Sequence, residues 1–105
     1  MINYALALRY SGNIKKSIEL IDSCDFSSSS MDLKLAYEII KENYDEAFDY
    51  LEKIGHEGEY INEKAYLFWP LFNDIRKESK FVDLYYKFYE KDFNEQVKNE
   101  LNKIL

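Results

Sequence analysis

The chain repeats itself. Asn13-Ile14-Lys15-Lys16-Ser17-Ile18-Glu19-Leu20-Ile21 aligns with Asn43-Tyr44-Asp45-Glu46-Ala47-Phe48-Asp49-Tyr50-Leu51, thirty residues further on. Asn opens both stretches, a small residue (Ser17, Ala47) follows four positions later, and the apolar positions coincide. The register extends both ways, with Leu6 on Ala36, Tyr10 on Ile40 and Cys24 on Ile54. Self-similarity at such a period marks stacked supersecondary units, each unable to bury its apolar face alone.

The spacing within each unit is helical. Ile14, Ser17, Ile18 and Ile21 stand at i, i+3, i+4 and i+7, one stripe of a helix running to about Cys24. Ile2 to Tyr10 is apolar nearly all round, which predicts a largely buried first helix. Ser11-Gly12 ends it and Asn13 is expected to cap the next. Asp25 to Ser30 reads as a polar loop, and Ser29 with Asp32 has capping-box spacing before a third helix over about 31–41. Asn43, with Glu46 three residues on, is expected to cap a fourth helix, whose stripe is Tyr44, Ala47, Phe48, Leu51 and Ile54. Lys53 suits its negative end and Gly55 stops it.

His56 to Asn62 reads as a linker. Pro70 forces a break near Trp69 and starts a short helix through Arg76. From about Ser79 a helix with Phe81, Leu84, Tyr85 and Phe88 on one face runs to the end, with a kink at 90–94. One Pro and three Gly in 105 residues, with 47% apolar content, exclude both a disordered chain and a many-turned β fold. The expectation is a single all-α domain: a first hairpin (1–24), a second (31–54) and a C-terminal helical cap (60–105).

These residues resemble the tetratricopeptide repeat (TPR) family of helical hairpins. Ala5, Leu8, Gly12, Ile14, Ser17, Ile21 and Cys24 follow the family spacing in the first unit, and Tyr44, Ala47, Leu51 and Ile54 in the second. The segment Phe68 to Arg76, followed by Phe81, is similar to the pattern that closes such arrays. The resemblance covers roughly residues 2–81. It departs in period, thirty against about 34 in the family, and in placing Leu35 where Gly or Ala is usual. It implies a protein-interaction scaffold whose first helices line a concave groove. By that analogy Leu6, Arg9, Tyr10, Asp32, Ala36 and Ile39 are the partner-binding residues.

Charge suggests a second reading. The net charge is −6, and residues 25–63 alone carry −8, eleven acids against Lys34, Lys41 and Lys53. Such a field disfavours nucleic acid and attracts a basic protein. A small acidic inhibitor, an immunity or antitoxin protein that blocks a basic effector, would use Glu38, Glu42, Asp45 and Asp49 among others. The apolar first helix also suits a homo-oligomer.

The chemistry of catalysis is not written in the sequence. One His and one Cys make no zinc site, and no nucleophile elbow or phosphate-binding glycine loop appears. The expectation is a non-enzymatic protein without cofactor or metal. With no leader-like start and no apolar run long enough for a bilayer, it is expected in the cytoplasm, away from membranes.

Overall fold

The turn that closes each unit is built identically, thirty residues apart. In the first, the N–H of Gly12 donates to the Arg9 carbonyl and that of Asn13 to the Leu8 carbonyl (3.1 and 2.8 Å). In the second, Glu42 donates to Ile39 and Asn43 to Glu38 (2.9 and 2.9 Å). Both are Schellman closures, which need a left-handed residue just past the helix. Gly12 takes that conformation at φ +93° and Glu42 at φ +62°. Glycine does so freely, whereas a side chain at this φ costs of order 1 kcal/mol or more.

A computed structural model of the chain describes residues 2–25 and 29–104, all helix and connection with no strand among them. The helices are α1 (Ile2–Tyr10), α2 (Ile14–Asp22), α3 (Met31–Ile40), α4 (Tyr44–Ile54), α5 (Glu63–Phe68), α6 (Ser79–Tyr89) and α7 (Phe93–Ile104). Two 3-10 turns, Pro70–Phe72 and Ile75–Lys77, link α5 to α6. The all-α class is as expected. Within it, α1 packs on α2, α3 on α4, α3 also on α1 and α2, and α6 on α4.

Small residues set the closest approaches. Ser17 and Ala5 are both fully buried, and the Ser17 hydroxyl donates to the Ala5 carbonyl at 2.6 Å. Ala36 and Ala47 are buried completely between α3 and α4. Beyond α4 the core becomes aromatic: Tyr66 lies 5.3 Å from Phe72 and 6.2 Å from Phe81, and Phe93 lies 5.3 Å from both Phe81 and Tyr85.

Several local expectations are corrected. The first helix is buried on one face only: Ile2, Ala5 and Leu6 are inside, while Tyr4 is 63% exposed. It packs mainly on α2 and α3. Asn13 and Asn43 make no side-chain cap, since their backbones, at ψ 54° and 72°, are not in the extended conformation of a capping residue; Asn13 donates instead to Ser11 and Asn43 to Glu38. The cap of α3 is Ser30, not Ser29, accepting from the Leu33 N–H. Residues 26–28 of the serine-rich loop lie outside the described residues. Because α2 stops at Asp22, Cys24 is half-buried beyond its end, its thiol on the Leu20 carbonyl at 3.4 Å. The expected C-terminal kink is a full break: Glu90 is left-handed, and α7 begins at Phe93.

Pro70 breaks the chain as expected, and the structure shows what repairs the break. Lacking an N–H, Pro70 cannot bond the Tyr66 carbonyl four residues back. Arg76 fills the gap: its Nε donates to the Tyr66 carbonyl at 2.7 Å, and its Nη2 to the Trp69 and Ala65 carbonyls at 2.7 and 3.2 Å. Its Nη1 donates to Asn73 at 2.8 Å. A cation at the C-terminal end of α5 also complements the helix dipole. Burial pushes the guanidinium down to about 10, so it stays charged at neutral pH. Replacing Arg76 by Met is expected to destabilise the fold by roughly 2–4 kcal/mol in urea denaturation, by removing charge-assisted bonds and leaving the Tyr66 carbonyl without its donor. Lys at the same position recovers little, since an ammonium cannot reproduce the planar fork.

Burial raises the phenols of Tyr66, Tyr85 and Tyr89 above the ordinary tyrosine range, with Glu63 adding to the effect at Tyr85 and Tyr89. A folded pKa above the unfolded one means stability that is intact below about pH 10 and lost as pH rises further. Alkaline titration followed by circular dichroism is therefore expected to show unfolding together with ionisation of these three tyrosines. Their ionisation while α6 remains intact would contradict it.

Candidate partner-binding surface

The connector between α4 and α5, residues 55–62, has no regular structure, so its backbone polar groups need other partners. Side chains from three helices supply them. The Tyr66 hydroxyl donates to the Gly55 carbonyl at 2.8 Å, and that of Tyr89 to the His56 carbonyl. Tyr85 donates to Glu63 just beyond, where Lys91 joins at 3.2 Å.

The deepest of these bonds comes from Asp32, on the first turn of α3. It is only 4% exposed, and its Oδ2 accepts the N–H groups of Tyr60 and Ile61 at 2.7 and 2.8 Å. The approach requires glycine at position 58, where a Cβ would lie 2.6 Å from Oδ2 and closer still to Oδ1. The Gly58 N–H donates to the Ile61 carbonyl at 2.8 Å, closing the loop on itself.

This anchoring places the Tyr60 ring outward, 65% exposed, beside the start of α1. Ile2, Asn3, Asp32, Leu33, Tyr60 and Trp69 line a cleft of about 330 Å³ there. Its walls are largely apolar and aromatic.

The residues expected to line a groove fare differently from one another. Leu6, Ala36 and Ile39 are buried, so they serve the packing of α1 and α3 and are not available to a partner. Asp32 is buried as an anchor. Arg9 has a side chain only 10% exposed and is fully engaged, donating to the Ile40 carbonyl at 3.3 Å, to Glu42, and to Asp74 at 3.3 Å. Burial lowers its pKa, but Glu42 and Asp74 outweigh that and hold it above the ordinary value. Tyr10 is half exposed, its hydroxyl donating to the Pro70 carbonyl at 2.6 Å. Arg9 and Tyr10 thus join α1 to the α5–α6 link.

The acidic residues form a second surface. Asp45 and Asp49, with Glu46 and Glu52, are exposed along the outer side of α4. Glu42 is offset by Arg9, and Glu38 accepts from Asn43 at 2.9 Å. The free acidic stripe is therefore narrower than the charge count of residues 25–63 implies.

Nothing in the sequence pattern marks Tyr60 or Asn3, and Trp69 reads as the residue before the break and as part of the closing segment Phe68 to Arg76. Tyr60 lies in a segment with no periodicity. The one signal was Gly58, the third glycine, which no helix end required. Among the described residues no group of three or more His, Cys, Asp or Glu could hold a metal, and no helix is long and apolar enough to cross a membrane. Compared with protein-family models, curated proteins and solved structures, the chain matches none of them.

Replacing Gly58 by Ala is expected to cost about 1–3 kcal/mol, since the methyl collides with a buried carboxylate held in place through Oδ2. The double variant Gly58→Ala, Asp32→Ala is expected to cost clearly less than the sum of its single variants, as measured by chemical denaturation. Full additivity would show that the two positions do not meet.

Proposed function

We propose that this chain is a non-catalytic protein-interaction module, a short TPR-like helical scaffold that grips a partner protein at the α1–α3 cleft. The observation that carries this reading is the cleft itself. It is an apolar, aromatic concavity at the starts of α1 and α3, kept in shape by a buried anchor. The paired turns at Gly12 and Glu42 and the small-residue contacts at Ser17 and Ala47 are what a stack of helical units needs. An exposed aromatic ring beside a pocket is also the usual form of an interface hot spot.

The exposed acidic stripe on α4 supports a second reading, an acidic inhibitor of the immunity or antitoxin kind that meets a basic effector. The two readings use different faces and respond oppositely to salt.

Immobilised chain, exposed to lysate of its source cells and washed at low and high salt, separates them. The cleft reading expects capture that survives high salt, weakens roughly tenfold with Tyr60→Ala, and persists in Asp45→Lys, Asp49→Lys. Capture lost in salt and abolished by the charge reversals, with Tyr60→Ala neutral, would favour the acidic inhibitor and remove the cleft from the account.

A further inference from the structure

We propose that the α1–α3 cleft is built to receive an arginine side chain of the partner, its guanidinium against the Tyr60 and Trp69 rings and bonded to Asp32. This rests on the reading of the cleft as the partner site and specifies the chemistry of what enters it.

The argument starts from Asp32. Among the described residues only Ser17 and Asp32 are buried polar side chains, and Ser17 is satisfied by the Ala5 carbonyl. Asp32 is half satisfied. Oδ2 takes two backbone N–H groups, while Oδ1 takes none from the described residues. No fully enclosed side-chain polar atom among those residues lacks a partner, so Oδ1 keeps an opening to solvent. Asp32 lines the cleft, and Oδ1, which packs beside Gly58, is its oxygen left without a donor.

The surroundings select the donor. Asp22, Glu42, Glu63 and Asp74 each have a cation within the fold: Lys41, Arg9, Lys91 and again Arg9. Asp32 makes no ion pair with any described residue, although it is the most buried acid among them. A buried carboxylate beside an unfilled concavity favours a cation from outside. The other linings are Ile2, Leu33 and two aromatic rings, a poor setting for a strongly hydrated ammonium. A guanidinium is more weakly hydrated, stacks on aromatic faces and donates in its plane to a carboxylate. The side-chain carbonyl of Asn3 offers a second acceptor. The chain's charge of −6 draws basic segments toward it.

The test is a titration of uniformly ¹⁵N-labelled chain with acetyl-Gly-Arg-Gly-amide, its citrulline counterpart and its leucine counterpart. Citrulline keeps the shape and loses the charge. The expected result is that the arginine peptide shifts the indole N–H of Trp69, the only tryptophan, together with the amides of Leu33, Tyr60 and Ile61. Citrulline should bind at least fivefold more weakly. Asp32→Asn keeps an oxygen for the two N–H groups and should erase the preference for arginine. Tyr60→Leu, at an exposed position, should weaken arginine binding several-fold with the spectrum otherwise intact. Should Asp32→Asn fail to fold, the citrulline comparison and Tyr60→Leu still decide. Equal binding of arginine and citrulline overturns the proposal, as do arginine shifts confined to the acidic stripe of α4. Shifts with leucine alone leave the cleft as a binding site and remove the arginine. Shifts with no peptide remove both.

Discussion

The grip on the α4–α5 connector is the constraint on which the rest of this structure depends. Two packed helical pairs precede it and an aromatic cap follows it. Between them runs a segment whose own backbone offers no regular hydrogen bonding. A carboxylate from α3 holds its middle, and phenols from α5 and α6 hold its start. Each bond satisfies a backbone group that no regular structure serves, and together they join the connector to three different helices. The cap is thereby fixed to the helical pairs by directional bonds as well as by apolar packing. The abundance of tyrosine follows from the same need: a ring for the core, a hydroxyl for the loop beside it.

Charge is used inside the fold more than its surface count suggests. Arg9 ties α1 to the turn after α3 and to the link before α6, and Arg76 closes the end of α5. Both guanidiniums bind main-chain carbonyls, a task for which a planar set of donors is well shaped. Exposed acids remain on the outer α4 surface, and others are spread along the connector and α6.

What was legible in the sequence was what depends on local periodicity. The stripes of α2, α4 and α6, the thirty-residue offset and the break at Pro70 all follow from spacing that any helix imposes. What was not legible depends on residues far apart. Asp32 reads as the acid of a capping box, because its true partners lie 28 and 29 residues later in a segment with no pattern. Asn13 and Asn43 read as caps, because a Schellman closure and an N-cap ask for similar residues at the same place. Family spacing puts Leu6, Ala36 and Ile39 on a groove, whereas the close packing of α1 and α3 encloses them. The cleft was hidden for the same reason, since Tyr60 and Trp69 come from either side of α5 and share its lining with residues of α1 and α3.

The two closing turns match in geometry and differ in self-sufficiency. Gly12 adopts its left-handed conformation unaided, whereas Glu42 adopts it while its carboxylate is held by Arg9 from the preceding unit. Thirty residues after Arg9 stands Ile39, buried in the core, which could not do the same for a unit placed next. Modularity in this chain therefore runs in one direction. The first turn is sufficient in its own backbone, whereas the second is tied to the helix before it, so a change at Arg9 reaches a turn more than thirty residues away.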